Sequence, residues 1–179
     1  MPPNSGSTAA PVGGGTVTIT DGSTTIVTLS ETDAGYSWGP LVAWQPGDTL
    51  AFAGTSDVVH AFTGSLTAPP TLVLTAPSGG LAIPRASNLT VQWAAGTANT
   101  VVLVQIGAST SGNMPDGSVF CAFSDTGSGV VPTTDLANLK ANDTATIAVG
   151  RVARSTATCD NADVTLEVGS VVLLSALFQ

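Results

Sequence analysis

The sequence has few charged residues. Only 9% of its 179 residues are Asp, Glu, Lys or Arg, against about a quarter in an average soluble domain. Twelve acids outnumber four bases, and the formal net charge is -8. Phosphate groups bind clustered cations, so nucleic acid and anionic membrane surfaces are poor partners. Because so few residues are charged, Ser, Thr, Gly and Ala must form much of the surface, as is typical of exported proteins. The four bases are Arg85, Lys140, Arg151 and Arg154.

Long apolar runs and a recognisable signal peptide are also lacking. A membrane span needs roughly 18 apolar residues, and the longest run, 171–178, is interrupted by Ser175. Met1 leads directly into a tail rich in Pro, Gly and Ser, with neither the basic nor the apolar region of a signal. Such a start is expected after a removed export signal, and a cytosolic protein with a loose tail is the alternative. We expect an extracellular or bacterial cell-envelope location and no transmembrane segment.

The sequence shows no recognisable set of catalytic residues. His60 is the single histidine, with Asp57 nearby, but no Gly-x-Ser-x-Gly turn accompanies it. The two glutamates, Glu31 and Glu167, have ordinary interpretations as a loop residue and a solvent-facing strand residue. The sequence thus predicts a protein that is not an enzyme and needs no cofactor.

Metal-ligand patterns are weak. One histidine and two cysteines are too few for a usual zinc site. Asp160, Asn161 and Asp163 form an oxygen-rich turn, and Asp116 and Asp125 lie on predicted loops of the same half of the chain. Calcium prefers such oxygens, but the EF-hand pattern is absent. The turn at 160–163 is therefore a weak calcium candidate beside its simpler interpretation as a turn.

Strands are what the sequence clearly contains. Leu89, Val91 and Trp93 alternate with polar residues, which predicts a half-buried strand with Trp93 in the core. The apolar run 101–106 predicts a strand buried on both faces, and 118–123 predicts a third strand that carries Cys121. Together they predict an all-β antiparallel β-sandwich; the resemblance described below implies that it is immunoglobulin-like.

The rest of the chain fits the same fold class. Residues 16–20 and 24–30 predict a β-hairpin around Asp-Gly-Ser, and 133–139 predicts one or two helical turns capped by threonine. We expect two tandem sandwiches, with one elongated sandwich as the alternative. The expected divisions are a flexible N-terminal arm at 1–15, a first domain at 16–76, a linker at 77–87 and a second domain at 88–179.

The two cysteines, Cys121 and Cys159, match no metal-ligand spacing and no redox motif. A Cys121–Cys159 disulfide is the simplest interpretation, and it would add about 4 kcal/mol to the free energy of unfolding in the chain-entropy model. The alternative is a pair of buried, inert thiols.

Aromatic residues cluster in the first half of the chain. Tyr36, Trp38 and Trp44 lie around Gly39-Pro40, and flat rings of this kind can stack on a sugar. They form a possible ligand platform, with burial in the core as the alternative.

Sheet edges are poorly guarded in this sequence. Lysine commonly protects an exposed edge strand, and the chain has one lysine. We therefore expect strand addition between copies, against the alternative that short strands, bulges and prolines blunt the edges. The leading hypothesis is a non-enzymatic extracellular or cell-surface structural subunit that self-associates through the N-terminal arm and open edges. The alternative is a carbohydrate or surface-ligand binding module.

Two stretches carry a resemblance to a known family. They are Ile-Pro-Arg-Ala-Ser-Asn-Leu-Thr-Val-Gln-Trp at 83–93 and Cys-Ala-Phe-Ser-Asp-Thr-Gly-Ser-Gly-Val-Val-Pro at 121–132. The chain resembles the exported immunoglobulin-like sandwich proteins and lipoproteins of myxobacteria and related bacteria. The resemblance implies an envelope or extracellular location and carries over no catalytic residue. Trp93 precedes both cysteines, unlike the tryptophan of an antibody domain, which lies between them.

Overall fold

The computed structural model describes residues 15–32, 35–36, 44–55, 61–109, 115–140, 144–159 and 162–179. These residues form thirteen strands and one short helix, which confirms the predicted all-β class. The strands are β1 Thr16–Asp21, β2 Thr24–Thr32, β3 Gly35–Tyr36, β4 Thr49–Thr55, β5 Phe62–Thr67, β6 Leu74–Ala76, β7 Leu81–Ile83, β8 Leu89–Trp93, β9 Thr100–Ser109, β10 Pro115–Ser124, β11 Ser128–Val131, β12 Thr144–Cys159 and β13 Ala162–Phe178; the helix α1 is Thr133–Leu136.

The chain divides into two compact units that interleave along the sequence. Unit 1 takes Met1–Trp44, Thr49–Ser65 and Ser155–Leu166, and unit 2 takes the remainder. The division differs from the expected domains at 16–76 and 88–179. The reason is the length of β12 and β13, which have 16 and 17 residues, about three times a usual strand. Their adjoining ends belong to unit 1 and their other parts to unit 2.

Unit 2 is a β-sandwich of two sheets. One sheet has the order β10-β9-β12-β13-β7, and the other has the order β11-β8-β6. Residues of both sheets form one buried core, including Val91 and Trp93 of β8, Val104 of β9 and Ile147 of β12. Three strands facing five in this arrangement define an immunoglobulin-like sandwich, as the sequence predicted.

The strands at the centre of unit 2 follow the predicted alternation in part. Leu89, Val91 and Trp93 of β8 are buried and the residues between them are exposed, as predicted. The expectation that 101–106 is buried on both faces is wrong. Along β9, one face is buried, whereas Val101 and Leu103 are half-buried and Gln105 is exposed, because the second face of this sheet is not covered by the core.

The predicted linker at 77–87 belongs to unit 2. It contains β7, which runs parallel to β13 and pairs Leu81 with Ala176 and Ile83 with Phe178. Ile83 is fully buried in the core. The Pro and Gly content that indicated a linker therefore marks the turns on either side of a short strand, and the buried isoleucine fixes that strand to the sheet.

Unit 1 contains an antiparallel sheet in the order β3-β2-β1-β4-β5. The predicted hairpin is present: β1 pairs with β2 around Gly22, whose φ of 55° suits glycine. Leu50 and Phe52 of β4 are buried. Ala157 and Leu166 lie against this sheet, since a side chain added at Gly64 of β5 would meet both.

The helical turn α1 begins after Pro132, which is its N-cap and supplies no side-chain hydrogen bond. The predicted turn is present, but the predicted threonine cap is wrong. The backbone N–H of Thr133 instead donates to Oδ1 of Asn88, at 2.9 Å. This bond satisfies a helix N-terminal donor from another part of the chain.

Both cysteines lie among the described residues, and they do not form the predicted disulfide. Cys121 is on β10 opposite Val104 and packs against the core of unit 2. Cys159 is the last residue of β12 and belongs to unit 1. The two thiols thus lie on different strands and in different compact units.

The Cys121 thiol is expected to react slowly in the folded protein. Burial raises its pKa, and the negative charge of Asp135 raises the pKa further. Since the thiolate is the nucleophile, iodoacetamide at pH 8 should modify Cys121 more slowly in the native than in the urea-unfolded protein. Peptide mass mapping measures the rate. A Ser124→Cys, Cys121→Ala variant, with its thiol on an exposed position of the same strand, should react rapidly. A Cys121–Cys159 peptide from unreduced protein would contradict the prediction.

Candidate functional site

The five-stranded sheet of unit 2 has an apolar face that points away from the core. We call it the outer face, and it is defined by alternation with the buried residues of the same strands. Its apolar part consists of Val101 and Leu103 of β9, Phe120 and Ala122 of β10, Ala148, Gly150 and Val152 of β12, and Gly169, Val171, Leu173 and Leu177 of β13. The same outward alternation includes the uncharged polar residues Gln105, Ser118, Ser124, Thr144, Thr146 and Ser175.

Large side chains on the outer face are strongly exposed. Phe120 is 63% exposed, Val171 62% and Leu173 65%. Charge appears where the face ends, at the ion pair of Arg154 and Glu167, whose N–O distance is 2.6 Å. A contiguous apolar surface of this kind is unusual on a monomer and indicates an interaction site.

A depression interrupts the outer face where side chains are smallest. Gly150 and Gly169 lie on the neighbouring strands β12 and β13, and Leu103, Phe120 and Val171 are among the side chains around them. The depression has a volume of about 230 Å³. A Cβ at Gly169 would lie 2.5 Å from the carbonyl oxygen of Arg151, so close approach of β12 and β13 requires glycine at that position.

Strand β10 is the edge of the same sheet. It pairs with β9 from Pro115 to Ser124, with a register shift between Pro115 and Gly117, and among the described residues no strand pairs with its other side. Residues 117–124 contain neither a charge nor a proline. This strand therefore lacks the sequence features that usually guard an edge.

A polar cluster is buried at one end of the unit 2 core. Nε of Arg151 donates to Oδ2 of Asp125 at 2.6 Å, and both side chains are 2% exposed. The guanidinium also donates to the carbonyl oxygens of Pro70, Thr71 and Ala94. It thereby joins two loops to β12.

The Asp125 carboxylate is fully occupied by donors. Oδ1 accepts from Nε1 of Trp93 at 2.7 Å, from the backbone of Gly96 at 3.1 Å and from Arg151 at 3.1 Å. Oδ2 accepts from the Thr100 hydroxyl at 2.6 Å as well as from Arg151. Burial alone would raise the pKa of Asp125, but hydrogen bonds from Arg151, Thr100 and Trp93 and the Arg151 charge outweigh it, and the pKa is lowered.

This arrangement gives Asp125 a structural role. Its oxygens are saturated by protein donors, so the interpretation of Asp125 as part of an oxygen-rich calcium loop is not supported. Sequence reasoning missed the pair with Arg151. A signal was present, because Ile147, Val149, Arg151 and Ala153 share the inward positions of β12, and an arginine at such a position requires a buried partner.

The other predicted site residues are only partly described. Asp163 is exposed and Trp44 is half-buried. Tyr36 ends β3, and its side chain is not described. The residues Trp38, Asp57, His60, Asp160 and Asn161 lie outside the described residues. The ligand platform and the weak calcium site remain predictions.

The described part of the chain contains no group of three or more His, Cys, Asp or Glu side chains arranged to hold a metal ion. Its one helix is far shorter than a membrane-crossing helix would need to be.

No protein-family model matches the chain, and no curated protein matches it. Among solved structures, the chain is similar to the crystal structure of chicken CNTN1 FN1-FN3 domains, at 17% identity and a TM-score of 0.26. The match covers 87% of this chain and 52% of that chain. The chain therefore spans about half the length of the structure it matches.

Proposed function

We propose that the protein is a non-enzymatic structural subunit, located outside the cell or at the bacterial cell surface, which associates with copies of itself through open sheet edges. The observation that carries the proposal is β10, an edge strand whose residues 117–124 have no charge and no proline. An edge of this length presents a row of backbone donors and acceptors to another strand. Addition of a strand from a second copy would satisfy them.

A two-fold axis provides a simple geometry for this edge contact. If two copies of β10 pair antiparallel with Cys121 at the axis, Ser118 of one copy faces Ser124 of the other. Both serines are exposed and uncharged, so the pairing brings no like charges together. Cross-strand neighbours of this kind decide whether two strands associate.

The proposed location is supported by composition. A chain in which only 9% of the residues are charged must form much of its surface from uncharged residues such as Ser and Thr. The resemblance of residues 83–93 and 121–132 to exported myxobacterial sandwich proteins points to the same compartment. Residues 1–14 of the predicted arm at 1–15 lie outside the described residues, and a variant without residues 1–15 tests separately whether the arm contributes to association.

Lysines on the edge should prevent association. In the Ser118→Lys, Ser124→Lys variant, the antiparallel pair would place positive charges opposite one another, which is destabilising. We expect wild-type protein to form species larger than a monomer in light scattering and the variant to lose the contact made by β10. Thr90→Lys, Gln92→Lys is the matched control, because both residues are exposed on β8, which has neighbours on both sides.

The control should assemble like the wild type, since it adds the same charge away from any open edge. A wild-type protein that stays monomeric at all concentrations would contradict the proposal. So would an edge variant whose mass distribution equals that of the wild type.

A further inference from the structure

We propose that the outer face of unit 2 is a second self-association surface, on which the outer face of another copy stacks. The inference rests on the proposed function, because a subunit with one two-fold contact closes into a dimer and stops. An extended assembly needs a second contact. The outer face belongs to the same sheet as β10. Stacking on this face would bring side chains into contact, whereas pairing at the edge would form backbone hydrogen bonds.

The chemistry of the outer face suits a sheet rather than a charged partner. Phe120, Val171 and Leu173 are each more than 60% exposed, and only neutral residues lie between them. Two sheets pack face to face about 10 Å apart when both contacting faces are apolar. A partner with a charged surface would have to bury its charges against this face without compensation.

The area of the outer face suits a weak contact between two copies. Four strands about 4.8 Å apart and six residues of about 3.4 Å give a face of about 19 by 20 Å. Two such faces bury about 800 Å² together, which is below the roughly 1,000 Å² of a stable specific interface. A buried area of this size is expected in an assembly where each contact is weak and several contacts act together.

The shape and charge of the face favour a copy of this chain as the partner. Phe120 projects from β10, while Gly150 and Gly169 leave a depression of about 230 Å³ on β12 and β13. A two-fold axis through the face would let Phe120 of each copy enter the depression of the other, as an isologous contact requires. Although each copy carries a net charge of -8, stacking through this neutral surface keeps the carboxylates apart.

The test compares the mass of four proteins by light scattering over a range of concentrations. Val171→Asp, Leu173→Asp places carboxylates on the outer face of both copies, and Val73→Asp is its control, since Val73 is 56% exposed and lies outside that face. The other two proteins are the wild type and the edge variant Ser118→Lys, Ser124→Lys. Thermal unfolding of each variant verifies that it is folded.

If both contacts exist, the wild type forms large species and the face variant stops at the dimer that the edge contact forms. The edge variant is reduced to a dimer or a monomer, because Ser118 and Ser124 lie on the same side of β10 as Phe120 and their lysines also charge the rim of the outer face. A face variant that is monomeric shows that the edge contact is absent. If the face variant assembles like the wild type while the edge variant is reduced, the outer-face contact is overturned and the edge contact stands. If only the face variant is reduced, the edge contact fails and the outer-face contact stands. A monomeric wild type overturns both. A change in Val73→Asp equal to that in the face variant also overturns the outer-face contact.

Discussion

Replacing Arg151 with methionine is expected to lower the free energy of unfolding by about 3 to 5 kcal/mol. The substitution leaves the Asp125 carboxylate, 2% exposed, as a buried charge without its ionic partner. It also removes donors from the carbonyl oxygens of Pro70, Thr71 and Ala94. Urea unfolding followed by tryptophan fluorescence measures the loss, because Nε1 of Trp93 bonds to the same carboxylate.

A matched control lies three residues further along β12. Arg154 also pairs with a carboxylate, at 2.6 Å from Glu167, but these side chains are 48% and 44% exposed. Solvent screens such a pair, and Arg154→Met should cost at most about 1 kcal/mol. Similar losses in Arg151→Met and Arg154→Met would contradict the structural role of the buried pair.

The same pair predicts how acid affects stability. Because the folded state lowers the pKa of Asp125, its ionisation stabilises the fold above the unfolded pKa, about 3.9, and this contribution is lost as pH falls through the lower folded pKa. The difference in unfolding free energy between the wild type and Asp125→Asn should stay constant above about pH 5 and narrow below about pH 4. A difference that stayed constant down to pH 2 would show that the carboxylate charge is not responsible.

Local patterns predicted the class of fold because they report directly on burial. The alternation of Leu89, Val91 and Trp93 identified β8, and Asp-Gly-Ser identified the turn between β1 and β2. The division into units was not predictable in this way. It depends on long-range pairing, such as that of β7 with β13, and a Pro- and Gly-rich segment gives no sign of which strand it will join.

The candidate site was predicted only in outline. A low lysine content predicted unguarded edges, and β10 has the open edge expected. The outer face was missed because residues 101–106 are apolar at positions on both faces of the strand. The same sequence pattern is expected for a strand buried on both faces and for a strand with one exposed apolar face. Only the placement of Val101 and Leu103 away from the core distinguishes the two.

Adding a single methyl group at Gly96 should disturb the buried pair of Asp125 and Arg151 and lower the stability of the protein. A Cβ at this position would overlap Oδ2 of Asp125 and lie 2.8 Å from Nε of Arg151. The carboxylate is held by Trp93 and Thr100 as well, so it has little freedom to move away. We expect Gly96→Ala to lower the free energy of unfolding by about 2 to 3 kcal/mol, in the range of overpacked cores.

Gly107→Ala provides the control for Gly96→Ala, because nothing lies within 4 Å of a Cβ added at Gly107. Its stability should be unchanged or higher by up to about 1 kcal/mol, since alanine restricts the unfolded chain. The cause of the Gly96→Ala loss is tested in an Asp125→Ala background, where the overlapping oxygen is gone and the added methyl group has space. The loss should shrink there to less than about 1 kcal/mol, as expected for two residues in direct contact. An equal loss in both backgrounds would assign the effect to the backbone of the loop rather than to the Asp125–Arg151 pair.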